Sequence, residues 1–193
     1  MLVSRAILFI SLVASLAAPA HARDQSILAE LNFARTRPMA YAIELQREVR
    51  GSGDSATLEH EDEAAVAEAI DFLEHQNPIA PLQDDERLEA MSYAYVSEQG
   101  PTGQTGHVSP AGAGFEDRFS HSGARFMAAG EDIAYGAVSA RDAVRQLIID
   151  SNVPGRGHRR NIFNPAFTAA GASCGLHRAY RSMCVIDFGG RPR

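Results

Sequence analysis

The apolar residues of the chain recur at a spacing typical of helices over most of its length. They return every three to four residues, which predicts amphipathic helices with one buried face. Pro38 suits the first turn of one such helix, where its missing N–H is not needed, and Ser139 suits the N-cap of another. Helices are predicted in five stretches: 23–37, 38–50, 61–76, 84–100 and 139–152.

The pattern changes in the second half of the chain. A glycine- and proline-rich loop at 100–114 and a short helical turn at 114–123 precede a stretch, 125–136, that mixes strand and turn signals. Two strands, 171–177 and 182–190, close the chain with a short turn between them. Helices followed by late strands predict an α+β fold, a three-layer αβα sandwich whose central sheet is mainly antiparallel. No repeat or linker divides it, so we expect a single domain.

The first 22 residues have the features of a secretory signal peptide. Arg5 supplies a positive charge, an apolar run follows, and Ala20-His21-Ala22 is typical of a cleavage site. The apolar run is shorter than the roughly 20 residues that a membrane-spanning helix needs. We therefore predict cleavage after Ala22 and a single domain at 23–193, periplasmic or extracellular, without a transmembrane anchor.

Composition and charge exclude several functional classes. The 193 residues carry a formal net charge of −6, and all 18 basic residues are arginine. Lysine-dependent chemistry, such as Schiff-base formation or a P-loop, is excluded. The acidic balance lacks the basic footprint of a nucleic-acid-binding protein, so we expect no nucleic-acid partner.

The two cysteines, Cys174 and Cys184, lie in the two closing strands. Export would place them in an oxidising compartment, where a disulfide clamping the hairpin is expected. The alternative is a pair of buried free thiols. Neither alternative makes them catalytic, because no C-x-x-C or neighbouring histidine is present.

Candidate chemistry is concentrated where histidine or carboxylate residues adjoin glycine. Three such places are Gly106-His107, Gly130-Glu131 and Gly157-His158, where glycine lets the backbone turn and aim a polar side chain into a cleft. Asp150 lies close to the apolar stripe on the surface of its predicted helix. It is therefore either a residue at the rim of that stripe or a buried, paired one. His60-Glu61 lacks the second histidine that a zincin motif requires.

Several motifs in a fixed order resemble those of one family. The opening helix carries Asn-x-x-Arg (Asn32 and Arg35), the loop carries GHVSPAG, and Arg118 and GEDIAYG follow. A Gly-His-Arg segment begins at Gly157, and CVIDFG forms the last strand. On these motifs the chain resembles the CAP superfamily, which includes cysteine-rich secretory proteins, antigen 5 and plant pathogenesis-related proteins, and specifically its bacterial secreted, SCP-like branch.

The resemblance implies a cleft in which two histidines and two acidic residues converge. Carried over by position, these are His107, Glu131, Asp150 and His158. Two positions depart from the family pattern. The family commonly has Glu where the shorter Asp150 stands, and Asp132 replaces the usual Asn, which adds negative charge beside the site.

Arginine residues in the motif loops are expected to be structural. Arg118 and Arg159, with Asn161, would hold the loops by pairing with carboxylates or carbonyls, and Asp117 or Asp132 could serve as partners.

Two functions are compatible with this cleft. His107 and His158 could bind Zn²⁺ or another divalent cation, with carboxylates orienting the rings. We expect a secreted domain that binds a ligand, an envelope component or a small lipid, without assured catalysis. The alternative is a metal- or histidine-dependent hydrolase, peptidase-like and acting on an extracellular or envelope substrate, in which a histidine–carboxylate pair activates Ser109 or a water.

Overall fold

The computed structural model describes residues 20–51, 58 and 61–190. Apart from its last three residues, the predicted signal segment 1–22 lies outside this part of the chain. Within these ranges, no helix combines the length and the apolar character that crossing a bilayer demands.

All five predicted helices are present, together with two shorter ones. Side-chain caps begin three of them: Asp62 and Asp85 each accept two backbone N–H groups, and Ser139 accepts that of Asp142. The helices are α1 (Ala20–Thr36), α2 (Pro38–Val49), α3 (Glu63–His75), α4 (Glu86–Gln99), α5 (Phe115–His121), α6 (Ala140–Ile149) and α7 (Gly157–Ile162).

The strands form one four-stranded sheet in the order β1-β3-β4-β2. They are β1 (Gln83–Asp84), β2 (Ala128–Tyr135), β3 (Ala169–His177) and β4 (Arg181–Gly190). The two long pairs, β3 with β4 and β4 with β2, are antiparallel as predicted. The sheet is nevertheless mixed, because the two-residue β1 runs parallel to β3. The ambiguous stretch 125–136 contains β2, an edge strand.

Alternate residues of β4 face different helices, which makes the fold a three-layer sandwich. Met183 and Val185 pack with residues of α4 on one face. Cys184, Ile186 and Phe188 belong to the larger core on the other face, with α1 and α6. At Gly171 of β3, an added Cβ would lie only 2.0 Å from a backbone nitrogen of α4, so helix and sheet are in direct contact.

The closing hairpin contains a disulfide between Cys174 and Cys184. The two residues are directly opposite each other in the β3–β4 ladder, with 4.1 Å between their Cα atoms. The predicted disulfide is therefore present, and the alternative of two free thiols is wrong.

Arg35 of α1 is fully buried. The acceptors of its hydrogen bonds, among the described residues, are backbone carbonyls. Burial lowers the pKa of this guanidinium to about 10. Its nitrogens lie 2.5–3.2 Å from carbonyl oxygens of Ala80, Ile162, Asn164 and Phe167. Arg35 thus ties α1 to the loop before β1 and to the segment that follows α7.

Candidate functional site

The site lies at the edge of the sheet, where β2 pairs with β4 and with no other strand among the described residues. Successive residues of β2 point to opposite faces. Ile133 packs on the α4 face and Ala134 on the α1–α6 face. Glu131 therefore points to the same face as Ile133, while Asp132 points to the opposite face. The first of two carboxylate–histidine pairs is built on Glu131.

Glu131 is the buried anchor of His107. Its carboxylate, with a side chain 2% exposed, accepts a hydrogen bond from His107 Nδ1 at 2.8 Å. Arg118 of α5 pairs with the other Glu131 oxygen and donates to the backbone carbonyl of His107 at 2.8 Å. The Arg118 guanidinium also stacks over the ring of Tyr95, 3.6 Å from its centroid. The prediction that Asp117 or Asp132 pairs with Arg118 is thus wrong, because the partner is Glu131.

Asp150 anchors His158 in the same way. It ends α6 in the left-handed conformation, with φ of 57°, which aspartate tolerates better than most residues. Its carboxylate accepts from His158 Nδ1 at 2.6 Å and from the His158 backbone N–H at 2.9 Å. Of the two alternatives for Asp150, a rim residue or a buried and paired one, the structure shows the second. Its side chain, shorter than that of glutamate, still reaches the histidine.

The two pairs lie beside each other, with their imidazole rings as the neighbouring groups. The imidazole centroids of His107 and His158 are 6.4 Å apart, and the side chains are 47% and 21% exposed. Because an ionised carboxylate only accepts hydrogen bonds, each Nδ1 is the protonated nitrogen of its pair, and in the neutral form of the ring Nε2 is the nitrogen with the free lone pair. The structure thus brings all four predicted residues together as two carboxylate–imidazole pairs.

A network of buried polar groups holds the loop that carries His107. The hydroxyl of Tyr95 donates to the Gly106 carbonyl at 2.6 Å, and the Gly106 N–H donates to the Tyr135 hydroxyl at 3.0 Å. Gln99 bonds to both tyrosine hydroxyls. The sequence did not single out these three side chains as site residues. The signal that could have found them is a polar group on an otherwise apolar face of a helix or strand.

Asp132 and Asp187 are further buried carboxyls near the site. Asp132 is fully buried on the α7 side and accepts from Asn161 at 2.7 Å, which agrees with the structural role expected for Asn161. Burial raises the pKa of Asp132 well above its ordinary value, and nearby Asp150, Glu131 and Asp187 raise it further. Asp187 was missed, although an aspartate inside an apolar strand is itself a signal of an unusual environment.

Ser109 and Arg159 serve the scaffold. The Ser109 side chain is part of a turn in which its hydroxyl accepts from the Ala113 N–H, and the residue is 4% exposed. Arg159 donates to the carbonyls of Ile148 and Ile149 and pairs with Glu68. These contacts agree with the structural role expected for Arg159.

The two imidazoles could supply two nitrogen ligands to a divalent cation. Over 20–51, 58 and 61–190, no group of three or more histidine, cysteine, aspartate or glutamate side chains is arranged to hold a metal. A tetrahedral zinc bound by both Nε2 atoms would place the ring centroids about 5 Å apart. From their separation of 6.4 Å, the rings would have to approach by about 1 Å.

Comparison with known proteins identifies the family of this chain. Residues 34–188 match the model of the CAP, or cysteine-rich secretory protein, family. YkwD of Bacillus subtilis is 29% identical over 109 residues, 56% of this chain and 40% of that protein. The chain thus spans less than half the length of this relative.

Two solved structures are similar in fold. One is an extracellular protein containing an SCP domain from Bacillus anthracis, at a TM-score of 0.50 and 21% identity, over 65% of this chain and 38% of that one. The other is an outer surface protein from Borrelia burgdorferi, at a TM-score of 0.50 and 20% identity, over 59% of this chain and 80% of that one. The family match covers most of the sequence, including all four cleft residues, and the chain belongs to the CAP (cysteine-rich secretory protein) family.

Proposed function

We propose that the protein is an exported binding domain whose cleft holds a divalent cation, Zn²⁺ or a similar ion, between His107 and His158. The observation that carries this proposal is that each imidazole donates its Nδ1–H to a buried carboxylate. Metal-binding histidines are commonly oriented in this way, since the carboxylate fixes the tautomer and makes the other nitrogen a better ligand. Glu131 and Asp150 act as orienting groups in this proposal.

The cation would supply open coordination positions to a ligand of the cleft. Two protein nitrogens leave at least two positions of a tetrahedral ion for oxygen or nitrogen atoms from elsewhere. Binding with only two protein ligands is expected to be weak and exchangeable. We propose that an envelope component or a small lipid occupies the cleft.

Export is part of the same proposal. It is supported by the signal-like segment 1–22 and by the disulfide, since disulfides persist in oxidising compartments. Amino-terminal sequencing of the protein recovered from the periplasm or medium of a bacterial host should begin at Arg23. Recovery of uncleaved chain from the cytoplasm alone would contradict it.

Calorimetric titration of Zn²⁺ into the exported protein tests the cation site. We expect one ion per chain in the wild type and loss of that heat in a His107→Ala/His158→Ala double variant. His75 and His121 are exposed histidines outside the pairs, so a His75→Ala/His121→Ala variant is the matched control and should bind as the wild type does. Unchanged binding by the cleft variant would overturn the proposal.

Hydrolysis is the second candidate, and the same two pairs are the observation that favours it. An imidazole held by a carboxylate can accept a proton from water through Nε2. Ser109 is a poor candidate nucleophile, because its buried hydroxyl is part of a loop turn. Peptide, ester and glycan substrates should be screened with and without zinc. Turnover lost in Glu131→Gln would establish the hydrolase and displace the purely binding role.

A further inference from the structure

A third carboxyl, that of Asp187, lies behind the Glu131–His107 pair. Asp187 is the direct cross-strand partner of Glu131 in the β2–β4 ladder and is fully buried. It lies on the same face as Val185, toward α4, where the hydroxyl of Ser92 is 2.7 Å from its Oδ2. Its Oδ1, on the same buried side chain, has no hydrogen-bond partner among the described residues.

Counting protons shows that an ionised Asp187 does not satisfy these contacts. Ser92 has a single hydroxyl proton but lies within hydrogen-bonding distance of two acceptors, Asp187 Oδ2 and the Gly171 carbonyl at 3.1 Å. Asp187 Oδ1 receives no donor from the described residues, and the residue directly across the strand pair, Glu131, is a second carboxyl group. The single Ser92 proton is shared between Asp187 Oδ2 and the Gly171 carbonyl and does not reach Oδ1. A proton on Asp187 supplies the second donor.

The charges around Asp187 lead to the same assignment. The charged groups that face it are Glu131 and Arg118, with Asp132 on the far side of β2. Arg118 is already paired with Glu131, so a second anion here would be buried without a cation of its own. Burial raises the pKa of Asp187 well above its ordinary value, the Glu131 carboxylate raises it further, and the Ser92 hydroxyl and Arg118 only partly oppose this.

We infer that Asp187 is a neutral carboxylic acid in the folded protein and that it acts as a positioning residue, donating through Oδ1 to Glu131 beneath His107. The consequence for the cleft rests on the proposed function. A neutral donor holds Glu131 as the anion that accepts from His107 Nδ1, which leaves Nε2 turned toward the cleft. The cleft histidine is thereby connected to α4 through Glu131, Asp187 and Ser92.

Carbon-13 NMR of the side-chain carboxyl groups tests the protonation state directly, without metal. The Asp187 signal, assigned by its loss in Asp187→Asn, should have the shift of a neutral acid at pH 7. The shift of an ionised carboxylate at pH 7 would overturn the inference. The shift is read on the folded wild-type protein, and triple-resonance assignment of the wild type identifies the Asp187 signal if Asp187→Asn does not fold.

Two substitutions test the positioning role. Asparagine is neutral and can both donate and accept hydrogen bonds. Asp187→Asn should therefore keep the Nδ1–H tautomer of His107 in nitrogen-15 spectra and change the zinc affinity less than about 2-fold. Leucine makes no hydrogen bonds, so Asp187→Leu should lose this tautomer and bind zinc about 10-fold more weakly or worse. Loss of the tautomer in Asp187→Asn would overturn the positioning role. If the wild-type protein has a neutral Asp187 and the Nδ1–H tautomer of His107 but binds no zinc, the proposed function is contradicted and the inference about Asp187 is not.

Discussion

Substituting Asp132 with asparagine should stabilise the protein at neutral pH. Asp132 is fully buried, and its Oδ2 has no hydrogen-bond partner among the described residues. Burial is the largest cause of its raised pKa, nearby Asp150 and Glu131 add to it, and the hydrogen bond from Asn161 partly opposes it. Asparagine keeps the shape and the acceptor for Asn161 but carries no charge.

The size of the effect follows from proton linkage. Below the ordinary pKa of 3.8, Asp132 is protonated in the folded and the unfolded chain, so variant and wild type should be similar. As the pH rises, the unfolded chain ionises first. Each pH unit over which folded Asp132 stays protonated then costs the wild type about 1.4 kcal/mol relative to the variant, until the pH passes the folded pKa.

Urea unfolding at pH 4, 5, 6 and 7 measures this difference. We expect the stability of Asp132→Asn relative to wild type to grow steadily over this range. Asp84→Asn, at an exposed position of β1, is the control and should show a flat difference. A flat difference for Asp132→Asn, or a variant less stable than wild type at pH 7, would refute the reasoning.

Three further predictions concern the scaffold, each measured by urea unfolding at pH 7. Arg35→Met should cost about 3 kcal/mol or more, because it leaves several buried carbonyls without donors; a cost below about 1 kcal/mol would be inconsistent with this. Gly171→Ala should cost about 1–3 kcal/mol through its clash with α4, whereas Gly157→Ala, where a Cβ meets nothing within 4 Å, should cost much less; equal costs would contradict the close approach. Cys174→Ala/Cys184→Ala should cost about 3 kcal/mol, as for a short closed loop, and an unchanged midpoint would count against the disulfide.

The helices could be predicted from the sequence because each buries one stripe of apolar residues. The periodicity of 84–100, for example, places Leu88, Met91 and Tyr95 on one buried face of α4. The edge strand β2 was ambiguous because Gly130 and the polar pair Glu131-Asp132 interrupt its apolar pattern. The two-residue β1 has no pattern of its own, since only its partner β3 defines it.

The proximity of the four residues could be predicted from the sequence, whereas the hydrogen bonds and ion pairs around them could not. The motifs around His107 and His158 singled out the four cleft residues, because their types and order are those of the family. The partner of Arg118 was not predictable, since it depends on how α5 lies against β2. Asp187 was missed for the same reason, because the register that places it opposite Glu131 is a property of the folded sheet.

The most direct test of the cation site is a crystal structure of the exported protein with Zn²⁺, with anomalous data collected at the zinc absorption edge. We predict an anomalous peak in the cleft, about 2.0–2.1 Å from Nε2 of both His107 and His158, with both Nδ1 atoms still bonded to Glu131 and Asp150. A cleft without a peak, with zinc bound only at exposed histidines such as His75 or His121, would contradict the account.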